Sequence, residues 1–164
     1  MHESVYLWGT GVVDRYDLAD QSVIEIGAAN QNGSLRPLFT GPFLATDIVD
    51  GPGVEVYPRD IEAGPVEFMV RPAVILCTEV LEHLKRPWLA MANMRASVRH
   101  GAHLILTCRG YDERGCWPVH HHPIDVWRFS ALGLRVLCED AGWTPDEIED
   151  DPEGPGFFVL ATAL

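Results

Sequence analysis

The sequence predicts a single doubly wound α/β domain: a mostly parallel seven-stranded sheet with an antiparallel C-terminal strand. Three observations carry this. Short, largely β-branched runs such as Val23-Ile24-Glu25-Ile26 and Ala73-Val74-Ile75-Leu76-Cys77 alternate with segments of helical spacing, and continuous apolar runs of that length are what strands buried on both faces require. The chain is 164 residues long, one domain's worth, with no internal repeat, linker or low-complexity tract. The last two apolar runs flank the turn-rich stretch Asp150 to Gly156, which suits an antiparallel pair.

The elements follow in order. Residues 1–21 read as an N-terminal helical or capping segment, and residues 22–164 as the core. Ser22 to Ile26 is the first strand, ended by Gly27. Asn32-Gly33-Ser34 supplies turn and cap chemistry for a helical segment over Leu35 to Phe39, where Pro37 fits a first turn whose amides lack intrahelical partners. Phe43 to Ile48 is the second strand, Gly51-Pro52-Gly53 a turn, Val54 to Tyr57 a short third strand and Ala73 to Cys77 a central one. Pro87 to Val98 has helical spacing, with Trp88, Leu89, Met91, Ala92 and Met94 as its buried face and Gly101 after its end. His103 to Cys108 returns to strand. Ser130 caps a helix carrying Leu132, Leu134, Val136, Leu137 and Ala141 and stopped by Gly142. Trp143 to Ile148 and Phe157 to Ala163 close the sheet, and the acidic run Asp146 to Glu153 reads as a solvated turn.

Composition narrows the class. Hydrophobic residues at 47% and charged residues at 22% exclude wholesale disorder, and no apolar run approaches the ~18–20 residues that cross a bilayer. Met1-His2-Glu3-Ser4 lacks the basic start and apolar block of a signal peptide, and four cysteines without a Cys-x-x-Cys pair suit reduced thiols, so the expected location is cytoplasmic. A net charge of −12 disfavours nucleic acid as a partner, because such binding draws on lysine and arginine at phosphates.

In doubly wound sheets ligands bind outside the carboxyl ends of the strands, which places Gly27, Asp47, Asp60 and Cys77 to His83 along one edge. Asp47 follows Gly27 by 20 positions, a spacing at which a carboxylate can accept both hydroxyls of an adenosine ribose. The spacing fits a nicotinamide dinucleotide as well, but the Gly-x-Gly-x-x-Gly fingerprint needs glycine at Ala29 and Asn32. An ordinary strand-to-helix turn with a solvated aspartate remains open on these residues alone.

Four segments in order resemble class I S-adenosylmethionine-dependent methyltransferases of the small-molecule type. They are Val23 to Ser34; Ala45 to Val56; Thr78-Glu79-Val80-Leu81-Glu82-His83; and His120-x-x-Pro123-x-Asp125-x-Trp127-Arg128-Phe129, followed by Ala141-Gly142-Trp143. The resemblance spans residues 22–162 and implies a Rossmann-like fold with S-adenosyl-L-methionine as cofactor. It places Gly27, Ala28, Ala29 and Asn30 at the methionine and ribose, and Glu25 at the loop or the ammonium group. Asp47 falls on the ribose diol, Ile48 on the adenine face, Asp60 with Ile61 near the adenine amino group, and Thr78 and Glu79 on the methionine side. Ala29 and Gln31 depart from the family's Gly-x-Gly-x-Gly, which keeps a catalytically degenerate domain serving as an interaction module as the alternative.

For the chemistry, His83 and His120 are the candidate bases for a hydroxyl or ammonium acceptor, since histidine titrates near neutrality. Arg128 is either the ion-pair partner of Asp125 or a clamp for a substrate carboxylate. His120, His121 and His122 with Cys108 and Cys116 do not make a convergent zinc set, and no metal is expected. The expected activity is methyl transfer by direct in-line displacement to an unidentified acceptor: a small molecule, glycan or protein. So short a chain leaves the acceptor site open or completed by a second subunit, and no membrane partner is expected.

Overall fold

The computed structural model describes residues 3–29, 33–119 and 124–164. Helix α1 (Glu3–Arg15) leads into β1 (Val23–Ile26), β2 (Phe43–Thr46) and β3 (Val74–Thr78). Then come α2 (Pro87–Ser97), β4 (His103–Arg109), a small hairpin of β5 (Tyr111–Asp112) and β6 (Gly115–Cys116), α3 (Ala131–Asp140), β7 (Trp143–Asp150) and β8 (Gly156–Ala163). The main sheet runs β2-β1-β3-β4-β8-β7. Strands β1 to β4 are parallel neighbours, and β8 lies antiparallel between β4 and β7.

Strand β3 shows why the central strands are apolar throughout. Ile75 and Cys77 point into the core shared with α2, α3 and Trp143, while Val74 and Leu76 point into the core under α1 with Val12, Val13 and Leu35. Successive side chains take opposite faces, so a strand covered on both sides needs an unbroken run. Ser130 caps α3 as expected, its Oγ accepting from the Gly133 amide at 3.1 Å, and Gly142 follows the helix at φ +83°.

Four expectations change. The Val54 to Tyr57 segment makes one parallel bridge, Val56 to Thr46, so the sheet has six strands and the start of a seventh. There the Glu55 side chain takes part of a strand's place: its Oε2 accepts from the Ala45 amide at 3.0 Å, while its own amide donates to the Ala45 carbonyl at 2.9 Å. The helix expected over Leu35 to Phe39 is one 3-10 turn, Arg36–Leu38, because Phe39 is already extended. The buried face of α2 is Pro87, Ala90, Met91, Met94 and Ser97, whereas Trp88, Leu89 and Ala92 face outward. On α3 only Leu134 and Cys138 are buried, with Leu137 and Ala141 partly covered; Leu132 and Val136 are exposed.

The acidic run is also misread by composition. Asp146 to Asp150 lie on β7, and Asp151 is buried against Arg109. No described helix is long and apolar enough to cross a membrane.

Candidate functional site

The carboxyl ends of β1, β2 and β3 meet at the first turn. Gly27 has φ +74°, a left-handed conformation that favours glycine, and a Cβ there would lie 2.2 Å from Val80 Cγ2. The amides of Gly27 and Ala28 both donate to the Thr46 carbonyl at 3.0 Å, while Thr46 Oγ1 donates back to the Glu25 carbonyl at 3.0 Å. Asp47 then closes the turn from the next strand: its Oδ2 accepts from the Ala29 amide at 2.9 Å and its Oδ1 from the Val49 amide at 3.0 Å. Each carboxylate oxygen has a second lone pair, so two further donors can be taken.

Glu25 lies beneath this turn, buried, with Ser34 Oγ donating to its Oε1 at 2.9 Å. Burial pushes its carboxyl up to about 7, against the opposing Ser34 hydrogen bond. It thus pins the far side of the loop at Ser34. Ile48, next to Asp47, is 60% exposed, an apolar face open beside a polar carboxylate. The Arg59 amide donates to the Asp47 carbonyl at 2.7 Å, which brings Asp60 to the same edge. Asp60 Oδ1 accepts from the Glu62 amide at 2.8 Å and caps a short turn. Ile61 is a correction: it is buried in the core, so its side chain offers no surface to a ligand. A groove of about 370 Å³ lined by Leu44, Val56, Arg59, Val66 and Glu67 contains none of the predicted site residues.

Thr78 ends β3, half-buried, and Glu79 follows at φ +57°. The Glu79 side chain turns away from the turn at Gly27 and toward β4, where Thr107 Oγ1 donates to its Oε1 at 2.9 Å and Arg109 pairs with its Oε2. The Glu79 carboxylate is thus tied to β4, while its side chain stays 24% exposed.

The opposite wall is a strap made by residues 124–129. The amides of Val126 and Trp127 donate to the Glu82 carbonyl at 2.9 and 3.2 Å, and Trp127 Nε1 donates to the Leu84 carbonyl at 2.8 Å. His83 Nδ1 donates to the Ile124 carbonyl, which orients the ring. Arg128 is a structural residue, a correction to its role as a catalytic group. It pairs with both oxygens of Asp125 and donates to the carbonyls of Trp117, Pro118 and Trp127, so its fork is committed to the strap. Asn30, Gln31 and the His120 to His122 cluster lie outside the described residues. Among the described residues no three His, Cys, Asp or Glu side chains are grouped to hold a metal ion, and Cys116 is a free, exposed thiol.

Sequence reasoning missed three ionisable groups here. Glu82 is fully buried and, among the described residues, neither carboxylate oxygen has a hydrogen-bond partner. Burial, then the Glu79 charge, push its carboxyl up to about 8. Arg109 and Asp151 form an ion pair at 3.0 Å with side chains 4% and 1% exposed. An Arg closing an apolar strand hinted at this pair; nothing near Asp151 in sequence did.

No family model matches the sequence, and no curated protein matches it. Solved structures do match in fold. A 1,6-didemethyltoxoflavin-N1-methyltransferase of Burkholderia thailandensis, solved with 1,6-didemethyltoxoflavin and S-adenosylhomocysteine, superposes with TM-score 0.77 at 16% identity, covering 98% of this chain and 79% of that one. The chain shares the fold of that methyltransferase. A SAM-dependent methyltransferase from Aquifex aeolicus gives TM-score 0.69 at 16% identity, over 95% of this chain and 89% of its own. Magnesium protoporphyrin IX methyltransferase from Synechocystis PCC 6803, solved with bound SAM, gives 0.69 at 14%, over 99% and 79%. In this fold the glycine turn, Asp47 and the end of β3 share one edge.

Proposed function

We propose that the protein is an S-adenosylmethionine-dependent methyltransferase. The observation that carries the reading is the hydrogen bond between the Ala29 amide and Asp47, which locks a glycine turn to a carboxylate at the next strand's end. The site suits this cofactor on its own chemistry. Asp47 accepts from the ribose diol with its remaining lone pairs, Ile48 covers the adenine face, and Asp60 stands near the adenine amino group. Glu25 and Ser34 order the loop that carries Gly27 to Ala29, while the backbone of Thr78 and Glu79 borders the methionine side. A dinucleotide fits less well. Its diphosphate calls for a helix N-terminus after the first strand, and the helical segment described between β1 and β2 is a three-residue 3-10 turn.

When bound, S-adenosylmethionine supplies a sulfonium methyl group open to direct in-line displacement by the acceptor's nucleophile, leaving S-adenosylhomocysteine. The chain's own part is alignment and exclusion of water, which is most of what such a transfer needs. His83, oriented by the Ile124 carbonyl, is the base for a hydroxyl or ammonium acceptor. Arg128 acts only by holding the strap in place.

The test is calorimetric titration with S-adenosylmethionine, S-adenosylhomocysteine and NAD on wild type and Asp47→Ala. Micromolar binding of the two sulfur ligands, weakened at least tenfold in Asp47→Ala and absent for NAD, is expected (~1.4 kcal/mol per tenfold). No binding by wild type overturns the reading.

A further inference from the structure

Behind the end of β3 runs a line of buried polar contacts that the chemistry above leaves unused. Arg109 pairs with Glu79 Oε2 through Nε and with Asp151 Oδ2 through Nη1, the latter at 3.0 Å. Ser4 at the start of α1 closes the line: its Oγ donates to Asp151 Oδ1 at 3.2 Å and its amide to Glu153 Oε1 at 2.8 Å. On its other side the guanidinium lies 4.0 Å from the centroid of the Trp117 ring. Arg109 is thus fixed by Asp151 and by the Trp117 ring before it reaches Glu79.

Glu79 needs that hold. At φ +57° it sits where a residue with a Cβ is disfavoured, and glutamate has no short side chain to bond its own backbone there as asparagine does. Two grips keep it in place. Its amide donates to the Thr107 carbonyl at 2.9 Å, and its carboxylate is shared by Thr107 Oγ1 and Arg109. A buried ion pair is a weak stabiliser, often matched by apolar residues of similar volume. Apolar residues, however, cannot hold a glutamate in the left-handed conformation.

We propose that Arg109 is a positioning residue for the cofactor pocket: by gripping the Glu79 carboxylate it fixes the left-handed backbone at residue 79, and with it the peptide groups that the end of β3 turns toward the methionine side. The proposal rests on the cofactor reading above. Arg109 acts entirely through Glu79 and touches no ligand. Lysine cannot replace it, because one ammonium cannot span Glu79 and Asp151 as two nitrogens of a planar fork do.

The experiment is S-adenosylhomocysteine titration by calorimetry, with thermal melting alongside, on wild type, Arg109→Lys, Thr107→Val, Glu79→Asn and the double variants Glu79→Asn/Arg109→Lys and Glu79→Asn/Thr107→Val. Arg109→Lys keeps a cation opposite Asp151, and Thr107→Val preserves shape, so at least one of the two folds. In the wild-type background Arg109→Lys weakens binding roughly tenfold and Thr107→Val about threefold. Asparagine tolerates the left-handed region unaided, so in the Glu79→Asn background each costs less than about twofold. Equal losses in both backgrounds, or lowered melting temperatures with unchanged binding, overturn the proposal and leave Arg109 a part of the fold. Failure of wild type itself to bind S-adenosylhomocysteine is a separate outcome, which removes the cofactor reading and this proposal with it.

Discussion

Replacing Glu82 by glutamine raises stability relative to wild type increasingly as the solution becomes alkaline. Glu82, on the 3-10 turn after β3 and against the strap, is fully buried, with no hydrogen-bond partner for either oxygen among the described residues. The charges that act on it are Glu79 and Asp125, which oppose its ionisation, and Arg109, which favours it; the buried thiols of Cys77 and Cys108 and the paired Arg128 also feel its charge. Its carboxyl is pushed up to about 8 by burial and then by Glu79, against an ordinary value of 4.5. Between those two values the folded chain holds a proton that the unfolded chain has released, so stability falls as pH rises through the window. At ~1.36 kcal/mol per pH unit, the loss relative to a neutral group is about 1 kcal/mol at pH 5, about 3 at pH 7 and about 5 at pH 9. Glutamine keeps the shape and has nothing to ionise. Urea unfolding of wild type and Glu82→Gln at those three pH values measures the difference directly. The gap between the two curves should widen by about 4 kcal/mol from pH 5 to pH 9. Parallel curves would falsify the assignment, because they would mean Glu82 ionises alike in both states.

Three further outcomes follow from the same structure. Gly27→Ala costs about 1–2 kcal/mol from its left-handed backbone alone, and Val80 must also shift; lower melting and lost S-adenosylhomocysteine binding are expected together. Ile48→Ser leaves urea stability within about 0.5 kcal/mol, since the side chain is exposed, yet weakens S-adenosylhomocysteine about tenfold in a titration. Ser130→Ala removes the cap of α3, costing ~1 kcal/mol and about 3 °C in a thermal melt, with ligand affinity unchanged.

Much of the fold was legible because it rests on local patterns. The unbroken run at β3 could only be a strand covered on both faces, and Ser130 and Gly142 bracket α3 by short-range chemistry alone. The site was legible where it depends on strand ends: Gly27 and Asp47 meet because a parallel pair delivers consecutive carboxyl ends to one edge. What the sequence hid depends on partners far along the chain. Asp151 sits in an acidic run that reads as solvated, and only the fold brings Arg109 to it, 42 residues away. The α2 face was misassigned because the small residues Pro87, Ala90 and Ser97 fill the tight contact, while the bulkier Trp88 and Leu89 face solvent. Arg128 reads equally as a clamp or a brace until its five donors are seen on carbonyls and Asp125.

The unfinished seventh strand has a consequence for how copies of this protein behave toward one another. An outer strand with unpaired amides is a template onto which another chain can add, the usual start of edge-to-edge aggregation. Here the Glu55 carboxylate, itself held by Arg36 at 3.0 Å, takes the Ala45 amide while the amides of Glu55 and Val56 take the Ala45 carbonyl, so the outer ladder of β2 is shared between an anionic side chain and a short stretch of backbone. Two molecules approaching edge to edge would bring two such carboxylates together, on surfaces already rich in negative charge. Glu55 therefore works as a gatekeeper of solubility, and an apolar residue in its place would turn the border of the sheet into a site of self-association at high concentration.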